Sequence, residues 1–133
     1  MQTVTMFVPR DADTCWRVFT DVAKLTAWVP GLRHAEIISK ERGMPSEIHF
    51  QFAHSLAYTL VYSYDRDKRE VSWEPKLGKR EGVTGFVRFD VAEGGTRVTY
   101  ALEHGAGRGA AVREIGDLQR LVEAFATWLT TTT

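Results

Sequence analysis

VTGFVRFDVAEGGTRVTYALEH, residues 83–104, is the stretch that decides the fold. Val83, Gly85, Val87, Phe89 and Val91 alternate with Thr84, Phe86, Arg88 and Asp90. After Glu93-Gly94-Gly95 the alternation resumes, with Val98, Tyr100 and Leu102 set against Thr99, Ala101 and Glu103. A period of two, with β-branched and aromatic residues on one side, is the pattern of a strand with one dry and one wet face, and the glycine pair supplies a tight turn. The stretch reads as an antiparallel hairpin.

The same alternation extends toward the N-terminus. Ile48, Phe50 and Phe52 oppose Glu47, His49 and Gln51; Tyr58, Leu60, Tyr62 and Tyr64 oppose Ala57, Thr59, Val61 and Ser63; Val71 and Trp73 oppose Ser72 and Glu74. Turn chemistry at Gly43-Met44-Pro45, from Asp65 to Lys68 and from Lys76 to Gly82 separates these runs. The run around His34-Ala35-Glu36-Ile37-Ile38 gives no clear face. A further strand, with Val4, Met6 and Val8, ends at Pro9.

Two helical segments follow that strand. Ala12, Cys15, Trp16 and Phe19 share a face behind a cap at Asp11 or Asp13, and Val22, Leu25 and Trp28 share one behind Asp21, with Pro30-Gly31 as the stop. At the other end, Ala111, Ile115, Leu118, Val122, Phe125 and Leu129 recur at steps of three and four, widened by Leu121 and Trp128, with Gly116 in mid-helix. This predicts a long helix from near Ala110, with a frayed Thr130–Thr133 tail. Burying each large side chain of that stripe is worth roughly 1.5–3 kcal/mol before entropy is subtracted, so docking of this helix is a main stabilising event. Strands flanked by helices at both ends give an α+β class: a curved antiparallel sheet of six or seven strands wrapped on the terminal helix, with two short helices after the first strand.

Composition narrows the function. The 133 residues fit one domain, 1–133, and Lys plus Arg equals Asp plus Glu at 17 each, so there is no general attraction to nucleic acid or anionic lipid. No run of eighteen apolar residues occurs and the first residues lack a basic, apolar leader, which predicts neither stable membrane insertion nor export. The single Cys15 excludes an internal disulfide and fits the reducing cytoplasm. On its helix's apolar stripe this thiol reads as core. His34, His49 and His54 show no metal-binding spacing, so neither a metal site nor a cofactor is expected. Gly105 to Gly109 lacks the lysine and hydroxyl of a phosphate loop and reads as a hinge. Lys76, Lys79 and Arg80 read as a solvated basic loop.

The dry face is unusually aromatic. A strongly curved sheet and one helix do not close-pack everywhere, and buried tyrosines bring hydroxyls that need partners. The ligand-binding candidates are therefore Phe50, Phe52, Tyr58, Leu60, Tyr62, Trp73, Phe89 and Tyr100 from the sheet, with Leu118, Val122 and Phe125 from the helix. His104, in phase with Val98, Tyr100 and Leu102, joins them as a candidate anchor or acid–base group.

Val8-Pro9 leading into Val18-Phe19, then Asp21, Trp28, Pro30 and Gly31, and Glu93-Gly94-Gly95-Thr96-Arg97-Val98-Thr99 at the last hairpin, together resemble the START, polyketide-cyclase and pollen-allergen (SRPBCC) superfamily over almost the whole chain. The resemblance implies the helix-grip fold. It implies binding or transport of a small hydrophobic, lipid- or polyketide-like molecule between sheet and terminal helix. The alternatives are a cyclase or dehydratase that shifts protons through His104 and a tyrosine, and a homodimeric or regulatory interaction module using Phe86, Trp28 or the basic loop. No strong catalytic motif supports the enzyme, and no catalytic residue is assigned.

Overall fold

The structure is a computed structural model that describes residues 2–52, 57–76, 83–104 and 118–132. The elements run β1 (Gln2–Val8), α1 (Ala12–Thr20), α2 (Val22–Trp28), β2 (Leu32–Glu41), β3 (Met44–Phe52), β4 (Ala57–Asp65), β5 (Glu70–Pro75), β6 (Val83–Ala92), β7 (Gly95–His104) and α3 (Leu118–Thr132). The seven strands form one antiparallel sheet in the order β1-β7-β6-β5-β4-β3-β2. From β2 to β7 the sheet is a meander, while β1 returns to pair with β7, so the first two strands in sequence form opposite edges. The α1–α2 pair spans the gap between them, and α3 packs on β1, β7 and α2.

Local chemistry fixes the joints. The Asp11 carboxylate accepts the Thr14 amide at 3.1 Å and its hydroxyl at 2.6 Å, which settles the α1 cap on Asp11. Asp13 pairs instead with Arg69 at 2.9 Å. Asp21 closes α1 through its amide, bonded to the Val18 carbonyl, and opens α2 through its carboxylate, which accepts from Ala23 at 3.2 Å. One residue thus sets the corner between two helices.

The hairpins follow backbone sign. Arg42 and Gly43 lie at φ 55° and 81°, and Glu41 pairs with Met44, so a two-residue turn joins β2 to β3. This corrects the turn expected at Gly43-Met44-Pro45. Met44 and Pro45 belong to β3, because two consecutive left-handed residues reverse the chain without needing a third. The ambiguous face of β2 also has a cause: register shifts fall between Leu32 and His34, Ile37 and Ser39, and Ser39 and Lys40, so no single parity holds along it.

The parity expected on the other strands holds for the core. Ile48, Leu60, Trp73, Phe89, Tyr100, Leu118, Val122 and Phe125 are buried, and Glu74 and Glu103 are exposed. Val91 departs from it at 73% exposure, although Thr96, its partner across the β6–β7 ladder, is fully buried. Trp28 is also corrected. It is 5% exposed, wedged against Phe125 and Phe19, and offers no surface contact. Thr130, Thr131 and Thr132 are helical rather than frayed, with the Thr130 and Thr131 hydroxyls donating to the Ala126 and Thr127 carbonyls at 3.0 and 2.7 Å, and Thr133 lies outside the described residues. The expected start of this helix, with Ala111, Ile115 and Gly116, lies outside the described residues, as do the Gly105–Gly109 run, His54, Lys79 and Arg80.

Candidate functional site

Phe19, brought in by α1, is the hub of the interior. Its ring lies 5.8–6.1 Å from those of Trp28, Trp73, Phe89, Tyr100 and Phe125, so one side chain ties both short helices to sheet and terminal helix. A second aromatic group forms toward the β3–β4 side, where Phe52 stands 5.5 Å and Phe50 6.0 Å from Tyr58. The two groups meet at Tyr62 and Trp73, 5.7 Å apart.

Between these groups lies a cavity of about 70 Å³. Phe50 and Phe52 of β3, Tyr58, Leu60 and Tyr62 of β4, Trp73 of β5, Val83 of β6, and Tyr100 and Leu102 of β7 form its sheet wall. Phe19, Leu25, Trp28 and Val29 close it from α1, α2 and the residue that follows α2, and Leu121 from α3. None of these fourteen residues is charged. Gly85, paired with Trp73 and Leu102 across the two ladders, has no room for a side chain, which would run into the Ala101 carbonyl and crowd both neighbours.

Seven of the sheet residues named as ligand-binding candidates line this cavity: Phe50, Phe52, Tyr58, Leu60, Tyr62, Trp73 and Tyr100. Phe89, Leu118, Val122 and Phe125 do not. They are buried in the other half of the core, where the Phe125 and Phe89 rings lie tilted 5.9 Å apart. The backbone of His104 pairs with Val83, and its side chain lies outside the described residues. The residues that sequence reasoning missed, Phe19, Leu25, Trp28 and Val29, form the lid. Their signal was present as the three-residue step of Leu25 and Trp28, but periodicity does not say which strand face a short helix covers. Leu121 was placed on the buried stripe of the last helix without being assigned to the site.

Among the described lining residues the polar atoms are few and neutral. Burial drives the Tyr62 and Tyr100 phenols far above their usual pKa, and like charge on neighbouring phenols adds to it, so both stay protonated and serve as hydrogen-bond groups rather than bases at physiological pH. Tyr64, beside them, is pushed up to about 12 by burial, and its hydroxyl donates to the Pro45 carbonyl at 2.7 Å. The Trp28 indole Nε1–H is different. Among the described residues it is the buried side-chain polar group with no hydrogen-bond partner. Such a group costs about 1–3 kcal/mol while unmet. Cys15, fully buried, is pushed up by desolvation and is therefore an inert thiol. No cluster of potential metal ligands occurs among the described residues.

The family profile described as polyketide cyclase / dehydrase and lipid transport matches residues 1–130. The chain belongs to that family. None of the curated proteins compared matches it. Among solved structures, a START superfamily protein from Mycobacterium smegmatis is similar at a TM-score of 0.74 and 15% identity, covering 99% of this chain and 98% of that one. A STAR-related lipid transfer protein from Xanthomonas axonopodis gives 0.73 and 13%, covering 97% and 85%. An aromatase/cyclase from a Streptomyces species gives 0.65 and 16%, also covering 97% and 85%. At these identities the likeness is one of fold, and it is the helix-grip fold of the superfamily. No helix among the described residues is long and apolar enough to cross a membrane.

Proposed function

We propose that this member of the family binds and carries a small hydrophobic molecule in the cavity between the aromatic sheet face, the α1–α2 lid and α3. The observation that carries the reading is the cavity itself: about 70 Å³ of unfilled space whose described lining residues are all uncharged. An apolar void of this kind stays dry or takes an apolar guest. The family, which spans polyketide cyclases, dehydrases and lipid transport, supports a guest of lipid or polyketide character. Among the described lining residues there is no histidine, carboxylate, lysine or cysteine, which favours holding a molecule over transforming it. The volume is below that of a typical drug-sized pocket, roughly 300–1,000 Å³, so the walls must yield to admit more than a few atoms. The wall most able to do so is α2, seven residues long and packed chiefly on β2.

The reading is tested with N-phenyl-1-naphthylamine, an apolar fluorophore. We expect it to bind the native protein saturably, to be displaced by hydrophobic competitors and to change Trp73 emission in step. Leu121→Trp should fill the space and weaken binding at least tenfold, while moving the urea midpoint little. In a close-packed core the same change would cost typically 1–3 kcal/mol with no binding to lose. A destabilised variant beside a wild type that ignores the fluorophore would overturn the reading.

A further inference from the structure

We infer that the cavity selects a neutral apolar molecule bearing a carbonyl-type oxygen, and that the Trp28 indole N–H is the donor that takes that oxygen. The inference rests on the binding reading above and names the chemistry of its guest. Three observations lead to it. Trp28 lines the cavity, and its Nε1 is shut off from water as well as from protein acceptors. Buried polar groups are almost always satisfied, so an unmet one on a cavity wall identifies what the cavity lacks: an acceptor. Nε1 does not front the open space, so an acceptor reaches it only on a guest that displaces the wall as it enters. The wall is built for that. Trp28 is the last residue of α2, its ring held by tilted packing 4.9 Å from Phe125 and 6.1 Å from Phe19 instead of by a polar tie.

The rest of the lining sets the guest's charge. With no cation among the described lining residues, a carboxylate would lose its hydration for one indole N–H, and burying an ion on those terms is strongly unfavourable. A hydrocarbon would fit the apolar walls but leave the N–H unmet. A ketone, ester or similar neutral oxygen satisfies it. The Tyr62 and Tyr100 hydroxyls, kept protonated by burial, favour the same chemistry, since a protonated phenol can also donate to a carbonyl.

The test uses acetophenone and α-methylstyrene, which share a shape and differ by an oxygen against a methylene, as competitors of N-phenyl-1-naphthylamine. In wild type, acetophenone should move the Trp28 indole proton resonance saturably downfield while α-methylstyrene does not. That resonance is assigned among the four indoles by its Overhauser contacts to the Phe125 ring. Trp28→Phe keeps an aromatic ring and removes the donor. The preference for acetophenone over α-methylstyrene should then fall by roughly three- to tenfold, the worth of one hydrogen bond. If Trp28→Phe fails to fold, the wild-type resonance decides alone. Displacement by both competitors with an unmoved indole proton and an unchanged preference overturns this inference and leaves the binding reading standing. A protein that ignores the fluorophore and both competitors overturns the two together.

Discussion

A Cβ placed on Gly85 would run into the Ala101 carbonyl of β7 and press on Leu102 Cδ2 at 3.0 Å and Trp73 Cζ2 at 3.1 Å. The carbonyl belongs to the strand paired with Gly85 and cannot retreat without disturbing the ladder, so the site admits only hydrogen. Gly43 makes the opposite demand: a Cβ there meets nothing within 4 Å, but its φ of +81° is a conformation that side chains resist. Gly43→Ala should therefore cost about 1 kcal/mol through the backbone alone, whereas Gly85→Ala should cost at least about 3 kcal/mol through collision. Urea unfolding of the two variants checks this, and equal midpoints would refute the collision at Gly85. Both glycines are plain in the sequence. Which of them lies against a tryptophan is not, because alternation places Gly85 on the inner face without saying what stands opposite.

At the scale of elements, the α1 cap makes stability sensitive to acid. The Thr14 hydroxyl and amide, with a smaller contribution from Arg17, hold the Asp11 carboxyl below its usual pKa. A carboxyl depressed in the folded state binds protons more readily in the unfolded chain. Its contribution is thus complete above the usual carboxylate pKa of about 4 and fades as pH falls toward the lower folded value. Glu47, held down by Lys76 at 2.9 Å and by Ser39, acts in the same direction and the same window. Thermal melts of wild type should lose stability between about pH 5 and pH 3. Asp11→Ala should be less stable at pH 7 and show a shallower acid limb, and parallel limbs would refute the cap's role. The edge strand β2 illustrates another elemental balance. Ile37 and Ile38 are exposed at 37% and 50%, but register shifts and interleaved Arg33, Glu36, Lys40 and Glu41 spoil it as a template for strand addition.

For the molecule as a whole, the interior divides into one half around Phe89, Val122, Phe125 and Leu129 and an aromatic half that leaves space. A guest binding only the folded state stabilises it by mass action, about 2.7 kcal/mol at a hundredfold excess over Kd. For a chain of this size that lifts the midpoint by roughly 5–15 °C. Calorimetry with acetophenone at such an excess should show the lift in wild type and a much smaller one in Leu121→Trp. An equal lift in both would place the guest outside this cavity.

What the sequence determined by itself is local and periodic. Alternation from Ile48 to Leu102 placed the inner face of five strands, the aspartates and Pro30-Gly31 marked the two short helices, and the stripe of Leu118, Val122, Phe125 and Leu129 marked the last. These follow from the pleat and the helical turn, which act between near neighbours along the chain. Tertiary structure alone decided which buried residues touch one another. It kept Phe89, Leu118, Val122 and Phe125 off the cavity wall and drew Phe19, Leu25, Trp28 and Val29 over the cavity. It left Val91 in solvent and bound the Thr96 hydroxyl to the Arg10 carbonyl at 2.6 Å across 86 positions of chain. The physical reason is that a period fixes a side chain's direction, whereas a void or an unmet indole N–H depends on how surfaces from distant segments fit together in space.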